Sequence, residues 1–219
     1  MQEETPRAAG LTAALSTTRI AALADGVFAI VLTLLVLDLH AQHAATQAQL
    51  LSQLRALVPQ LVAFAISFAV LAIFWYGHHM ELHFIVRSDR VHLGITLGFL
   101  LTMAFVPFSA SLLGRNLQLP LAAAIYAANL SLAGLVRYAH WMYASAGHRL
   151  VDPALELGMI RYVRRIFLMV PLLYGVAAAL AWLSTIAAFV CFALIPLLYV
   201  KPARQTRHLT SLQQISLSE

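Results

Sequence analysis

The sequence predicts an all-α integral membrane protein with six membrane-spanning helices in each subunit. Of its 219 residues, 61% are hydrophobic and only 11% are charged, whereas soluble domains are about 45–50% apolar and about 25% charged. A helix needs about 20 consecutive, mainly apolar residues to cross a bilayer. Six segments meet or approach that length: 20–40, 54–78, 91–113, 119–143, 165–183 and 184–200.

The first segment is predicted to stay in the chain as a spanning helix rather than to act as a cleaved signal. Its apolar run is longer than the roughly 7–15 residues of a signal-peptide core, and no clean small-x-small cleavage site follows it. It also carries Asp25. A carboxylate at the centre of a bilayer costs about 2.5–3.5 kcal/mol on insertion scales, so Asp25 is a candidate functional residue.

The other five segments are predicted from apolar length, and most of their motifs have ordinary explanations. Asn129 begins a glycosylation pattern, but it lies inside the fourth apolar run, where that pattern has no meaning. The last two segments are short and share a boundary near residue 183. The polar ends, 1–18 and 201–219, are predicted to be tails that flank one transmembrane domain, 19–200.

The distribution of basic residues predicts the orientation. With six spans, only Arg55 and Arg115 of the 14 Lys and Arg residues fall on one side of the membrane. The positive-inside rule therefore puts both termini in the cytoplasm. The other 12 basic residues are assigned to the cytoplasmic side: Arg7, Arg19, Arg87, Arg90, Arg137, Arg149, Arg161, Arg164, Arg165, Lys201, Arg204 and Arg207.

Several function classes are excluded by what the sequence does not contain. It has no CxxC, HExxH or GxxxxGK[ST] motif, so it predicts no metal site, no nucleotide site and no catalytic residues. The single Cys191 cannot form an intrachain disulfide. Anionic lipid explains the basic face without nucleic acid. We therefore expect neither an enzyme nor a cofactor.

Helical periodicity gathers apolar residues of the first segment on one stripe. At 100° per residue, Ile30, Leu34 and Leu37 lie within about 60° of one another, and Thr33 flanks them. Asp25 lies about 140° from Ile30 and is expected to point toward other helices of the same subunit. The stripe continues toward the cytoplasm through Arg19, Leu23 and Gly26.

The second segment brings possible partners to the depth of Asp25. It runs back toward the cytoplasm and ends with Trp75 and His78, whose side chains could satisfy the lone pairs of a buried carboxylate. One interpretation is a structural polar clamp between two helices, which would contribute about 1–2 kcal/mol. The alternative is a proton relay or an ion-binding site. Ordinary helix packing would explain the apolar stripe equally well.

Three motifs resemble the transmembrane protein 175 family, the bacterial relatives of an endolysosomal potassium channel. The motifs are R-x5-DGVFAI-x2-TLLVLD over residues 19–38, FW-x2-HH over 74–79 and FVPF-x2-SLLG over 105–114. They occur in the family's order and cover the first three helices. The last three helices agree with the family only in number and hydropathy.

The resemblance implies a homotetramer whose first helices line a central pore in a bacterial inner membrane. Such a channel passes potassium without a TVGYG filter loop, and this sequence has none. By the same resemblance, the narrowest hydrophobic ring falls on Ile30, with further rings at Leu34 and Leu37 and a pore-flanking hydroxyl at Thr33. The implied partners are other copies of the chain, potassium ions and membrane lipids.

The sequence departs from the family at the start of the first helix. The family has Phe-Ser-Asp where this chain has Leu23, Ala24 and Asp25, so an aromatic ring and a serine hydroxyl are missing. Arg19 and Asp25 remain. With Trp75 and His78 they form the predicted structural polar network, which is expected to anchor the first helix to the second.

Two other function classes stay open. A small secondary transporter or proton-conducting carrier could use Asp25 and His78 as a relay. Pro107, Pro171 and Pro196 could interrupt helices as prolines do in transporters, although no inverted repeat is evident. A structural membrane scaffold is the third possibility. Ion flux into liposomes would separate all three.

Overall fold

The computed structural model describes the chain from residue 16 to residue 200, and its side chains as far as residue 196. Within that range the fold is helical, as predicted. The only β-type contact among the described residues is an isolated bridge between Ile85 and Val151. The α-helices are α1 Thr17–Leu34, α2 Gln47–Leu82, α3 Arg90–Ala104, α4 Val106–Arg115, α5 Pro120–Ser145, α6 Leu157–Leu180 and α7 Thr185–Val200.

These helices correspond to the six predicted segments. Five helical segments are long and apolar enough to cross a membrane, with α3 and α4 counted as one and α1 extended by a 3-10 turn, Leu35–Asp38. The sixth, α7, is apolar but shorter over the part whose side chains the structure describes, Thr185–Pro196. The second span is longer than predicted, because α2 begins seven residues before residue 54 and ends four residues after residue 78.

Polar side chains cap the first turns of several helices, including α1, α2 and α3. Ser16 Oγ accepts a hydrogen bond from the Arg19 backbone N–H, and Thr46 Oγ1 accepts one from that of Gln49. Asp89 caps α3 by accepting from the His92 backbone N–H at 2.8 Å. Each cap satisfies a donor that the first turn of a helix leaves without an intrahelical partner.

Asp89 also ties α3 to α5. Its Oδ2 accepts a hydrogen bond from the Tyr143 hydroxyl at 2.7 Å. Burial alone would raise the pKa of Asp89, but the hydrogen bonds from the His92 backbone and Tyr143 outweigh it and lower the pKa below its usual value. The cap therefore carries its charge at neutral pH.

Of the three prolines considered above, only Pro107 coincides with a helix break. The third span divides at Phe105, and Pro107 lies in the first turn of α4, where its missing N–H is tolerated. Pro171 lies inside the continuous α6, and Pro196 inside α7. In the described residues, these prolines therefore do not produce the pair of broken helices that is typical of transporters.

Helix α5 lies at the centre of the subunit, where it contacts α3, α4, α6 and α7. It buries large side chains such as Tyr126 and Trp141 completely. Its contact with α6 is close because Gly134 has no side chain: a Cβ there would lie 2.9 Å from the backbone N of Pro171. Helix α1 packs on the outside of this core, against α2 and α3.

Candidate functional site

Helix α1 has two contrasting faces. One packs into the subunit through four buried side chains, Ile20, Ala24, Phe28 and Val31, and is continued by the buried Leu35 of the following 3-10 turn. The other, which we call the α1 stripe, is exposed in the single chain and consists of Leu23, Gly26, Ile30, Leu34 and Leu37. Its largest exposures are 60% at Ile30 and 62% at Leu37. These are the stripe positions predicted from periodicity, although Leu37 lies in the 3-10 turn after α1.

An exposed apolar stripe on one helix needs a covering surface. From Leu23 to Leu37 it spans about 20 Å at 1.5 Å per residue, which is two thirds of a bilayer's hydrocarbon core. Lipid tails, a neighbouring subunit or a narrow water-filled pore could each border it. The fold thus leaves this face of α1 available for assembly or conduction.

Thr33 flanks the stripe and is also exposed. Its hydroxyl donates a hydrogen bond to the Ile30 carbonyl oxygen at 2.8 Å. The donor is therefore used within the helix, and the hydroxyl oxygen keeps lone pairs that can face a cation. This places one polar oxygen one turn from the most exposed isoleucine of α1.

The structure brings together two members of the predicted polar network. Trp75 Nε1 donates to Asp25 Oδ1 at 2.8 Å, which links α1 to α2. Asp25 is exposed in the single chain rather than buried. Arg19, also exposed, is located in the first turn of α1.

His78 lies elsewhere. It is 2% exposed and packs against the ring of Phe99, with ring centroids 5.1 Å apart. Its Nδ1 lies 4.0 Å from Oε2 of Glu81. The predicted partnership of His78 with Asp25 needs correction. Trp75 and His78 are three positions apart on α2, and the turn of the helix directs the histidine into the subunit core instead.

The buried charges of the subunit form a second cluster, which we call the Glu81 cluster. Glu81 of α2 is 1% exposed and accepts a hydrogen bond from Arg137 Nε of α5 at 3.1 Å. His140, one turn further along α5, places Nδ1 2.7 Å from Glu81 Oε1. On its other side, His140 Nε2 lies 3.2 Å from the Thr96 hydroxyl of α3. The cluster thus joins three helices.

Two further histidines line this cluster. His92 of α3 stacks on His140 with ring centroids 4.5 Å apart. His92 Nε2 and both ring nitrogens of His78 are buried without a hydrogen-bond partner among the described residues. The described residues contain no group of three or more metal-ligating side chains arranged to hold a metal ion. The contacts within the cluster are ion pairs and hydrogen bonds, in which Arg137 balances the charge of Glu81.

The space around Arg137 explains a glycine in the second motif. A Cβ at Gly77 would lie 2.5 Å from both terminal nitrogens of the guanidinium. On its other side, the guanidinium lies 4.0 Å from the centre of the Phe167 ring of α6. Arg137 is 7% exposed and lies within α5, not in the loop that follows this helix. It is part of the buried interior.

Part of the Glu81 cluster could have been predicted from the sequence. Arg137 and His140 lie within the predicted span 119–143, where the rule applied to Asp25 marks ionisable residues. Glu81 lies three residues beyond the predicted end of the second span, and only the longer α2 brings it into the interior. That the three residues meet depends on packing, since 56 and 59 positions separate Glu81 from its partners.

Comparison with known proteins shows which family this chain resembles. The family model described as "Endosomal/lysosomal potassium channel TMEM175" matches residues 19–107. A potassium channel from Chamaesiphon minutus is 34% identical over 184 residues, which cover 81% of this chain and 91% of that protein. One from Streptomyces collinus is 31% identical over 185 residues, or 83% of this chain and 90% of the relative.

Comparison with solved structures leads to the same family. The crystal structure of a lysosomal potassium-selective channel TMEM175 homolog from Chamaesiphon minutus superposes with a TM-score of 0.75 at 30% identity, and covers 84% of this chain and 95% of that chain. An endosomal/lysosomal proton channel from Mus musculus is 36% identical over 110 residues, which are 46% of this chain but only 21% of the mouse protein. All of these similar proteins are ion channels.

Proposed function

Because this chain belongs to the TMEM175 family, we propose that it is a potassium-preferring cation channel of a bacterial inner membrane. The observation that supports this function most strongly is the α1 stripe. Its residues are apolar and exposed in the single chain, and three of them, Ile30, Leu34 and Leu37, occupy the positions that the family resemblance assigns to the pore. Potassium is the permeant ion, and the channel needs no cofactor.

The pore requires several subunits. One helix cannot enclose a conduction path, so we propose a homotetramer in which four copies of α1 surround the axis and membrane lipid surrounds the outer helices. The channel domain comprises residues 19–200. Both tails, 1–18 and 201–219, are cytoplasmic; residues 1–15 and 201–219 lie outside the described residues.

The constriction is hydrophobic. Four Ile30 side chains at the axis would hold little water, and an ion there would face a desolvation barrier. Leu34 and Leu37 form further apolar rings toward the outer end. The Thr33 hydroxyl offers oxygen lone pairs beside the narrowest ring, which favours a cation over an anion. No TVGYG-type loop is needed in this arrangement.

The test is the reversal potential of the purified full-length protein in a planar bilayer between potassium and sodium solutions. A potassium-preferring channel shifts the reversal potential toward the potassium equilibrium potential and carries current without a coupled substrate. A saturating flux that needs a counter-ion would indicate the alternative, a secondary transporter or proton carrier that uses Asp25 and His78. Absence of any flux would indicate a scaffold.

A further inference from the structure

One charged pair lies at the outer end of α1. Arg115, the last residue of α4, donates hydrogen bonds from Nε and Nη2 to Asp38 Oδ1, at 3.2 and 2.5 Å. Asp38 follows Leu37, the final residue of the α1 stripe, and closes the 3-10 turn. The Arg115 side chain is 55% exposed and that of Asp38 is 23% exposed. The pair therefore lies at the protein surface, next to the end of the proposed pore.

Asp38 is the one carboxylate on that side of the membrane. In the proposed topology, the other eight of the nine Asp and Glu side chains lie in the cytoplasmic tails and loops or near the cytoplasmic ends of the helices. The only Lys or Arg residues on the outer side are Arg55 and Arg115. The charge beside the outer entrance therefore depends on whether Asp38 is covered by Arg115.

A carboxylate beside a pore entrance raises the local concentration of cations, and a guanidinium within hydrogen-bond distance cancels that effect. Four subunits would repeat the pair four times around the axis. An exposed ion pair contributes little to stability, so its main physical consequence at this position is on the local electrostatic potential. That potential extends about 30 Å at 0.01 M salt but only about 3 Å at 1 M.

Resting on the proposed function, we propose that Arg115 neutralises Asp38 and thereby sets the cation concentration at the outer entrance of the pore. The paired state keeps the entrance from concentrating cations. Removal of the guanidinium uncovers four carboxylates, and removal of the carboxylate leaves four guanidinium groups that repel cations. The two single substitutions therefore act in opposite directions.

The experiment measures single-channel potassium conductance of the full-length protein in planar bilayers of uncharged lipid, at 20 mM and 500 mM KCl. We expect Arg115→Gln to raise the inward conductance at 20 mM KCl roughly threefold, because four charges near the axis change the local potential at low salt. Asp38→Asn should lower it by a similar factor. At 500 mM KCl both variants should match the parent.

Two further variants separate charge from structure. Arg115→Lys keeps the positive charge and should retain the parent conductance at both salt concentrations. The double variant Asp38→Asn/Arg115→Gln removes both charges and should also return to the parent value, although the contact between α1 and α4 is gone. Single-channel conductance does not depend on how many channels assemble, so a lower yield of a variant does not affect the comparison.

Two results would overturn the inference. An Arg115→Gln channel with the parent conductance at 20 mM KCl would mean that Asp38 does not act on the entrance. A double variant whose conductance falls as far as that of Asp38→Asn would mean that the pair acts as a structural link between α1 and α4. A parent chain that carries no potassium current would instead overturn the proposed function, and the two failures are thus distinguishable.

Discussion

Ile30 and Val31 are neighbours in the sequence but occupy opposite environments on α1. Ile30 is 60% exposed on the stripe, whereas Val31 is 2% exposed in the core. A polar side chain at Ile30 should lower the barrier to an ion at the proposed constriction. If the barrier falls by about 1 kcal/mol, the potassium current rises about fivefold. We expect Ile30→Asn to have this effect and to reduce discrimination against sodium, measured as current and reversal potential in bilayers.

The matched control is Val31→Asn, which buries an amide without a partner and should cost about 1–3 kcal/mol of stability without opening a path. Thr33→Ala should mainly change selectivity, because it removes the hydroxyl beside the narrow ring. Stable Ile30→Asn tetramers with the parent conductance and selectivity would show that Ile30 is not the constriction.

Asp25 and Trp75 make the residue-scale link between α1 and α2. Trp75→Phe removes the N–H that donates to Asp25 at 2.8 Å but keeps an aromatic ring. We expect a loss of about 1 kcal/mol, seen as a modest decrease in the midpoint of thermal unfolding in detergent, with conduction retained. Asp25→Asn keeps an acceptor and should cost less. If Asp25→Asn instead abolishes pH-dependent flux in a normally assembled protein, the relay interpretation replaces the clamp.

At the scale of the helices, the Glu81 cluster holds α2, α3 and α5 together. Glu81→Gln would remove the carboxylate charge that pairs with the buried Arg137 guanidinium, and breaking a buried pair in this way typically costs about 3–5 kcal/mol. We expect a large decrease in the thermal unfolding midpoint in detergent. The exposed Glu156, which precedes α6, is the control: Glu156→Gln should change the midpoint little.

A second substitution tests whether the lost charge is the cause. Adding Arg137→Met to Glu81→Gln removes the other member of the buried pair and should recover part of the stability, since apolar replacements of buried ion pairs are often tolerated. If the double variant is less stable than Glu81→Gln alone, the hydrogen bonds of Arg137 and its contact with Phe167 stabilise the subunit more than the charge balance does.

At the scale of the whole molecule, the orientation in the membrane decides which end of α1 faces outward. Even without Arg137, eleven of the 14 basic residues remain on the proposed cytoplasmic side. In a Cys191→Ser background, we expect Gln47→Cys at the start of α2 to react with an impermeant thiol reagent added outside intact cells. Val86→Cys, in the exposed connection between α2 and α3, should react only after permeabilisation. The reverse labelling pattern would invert the topology.

Local sequence patterns were sufficient to predict the membrane-protein class, the six apolar segments and the two faces of α1. The length of an apolar segment indicates whether it can span the lipid, and a repeat of 100° per residue indicates which side of a helix is apolar. Both features can be recognised without knowing which helices pack nearby. The first and last residues of the helices were predicted less accurately than their number. The second span was predicted to start at 54, because the first turns of α2 are more polar than its middle, although the helix is continuous from Gln47.

By itself, the sequence determined that this chain is a multi-span membrane protein, that its first helix has an apolar stripe, and that its motifs are those of one channel family. Only the tertiary structure decided which polar groups meet: Trp75 bonds Asp25, while His78 turns inward to Glu81. The reason is physical. Partners such as Glu81 and Arg137 belong to different helices, and their contact depends on the relative rotation, depth and spacing of those helices. Packing between the helices, at residues such as Gly77, sets these quantities. The periodicity of a single helix does not encode them.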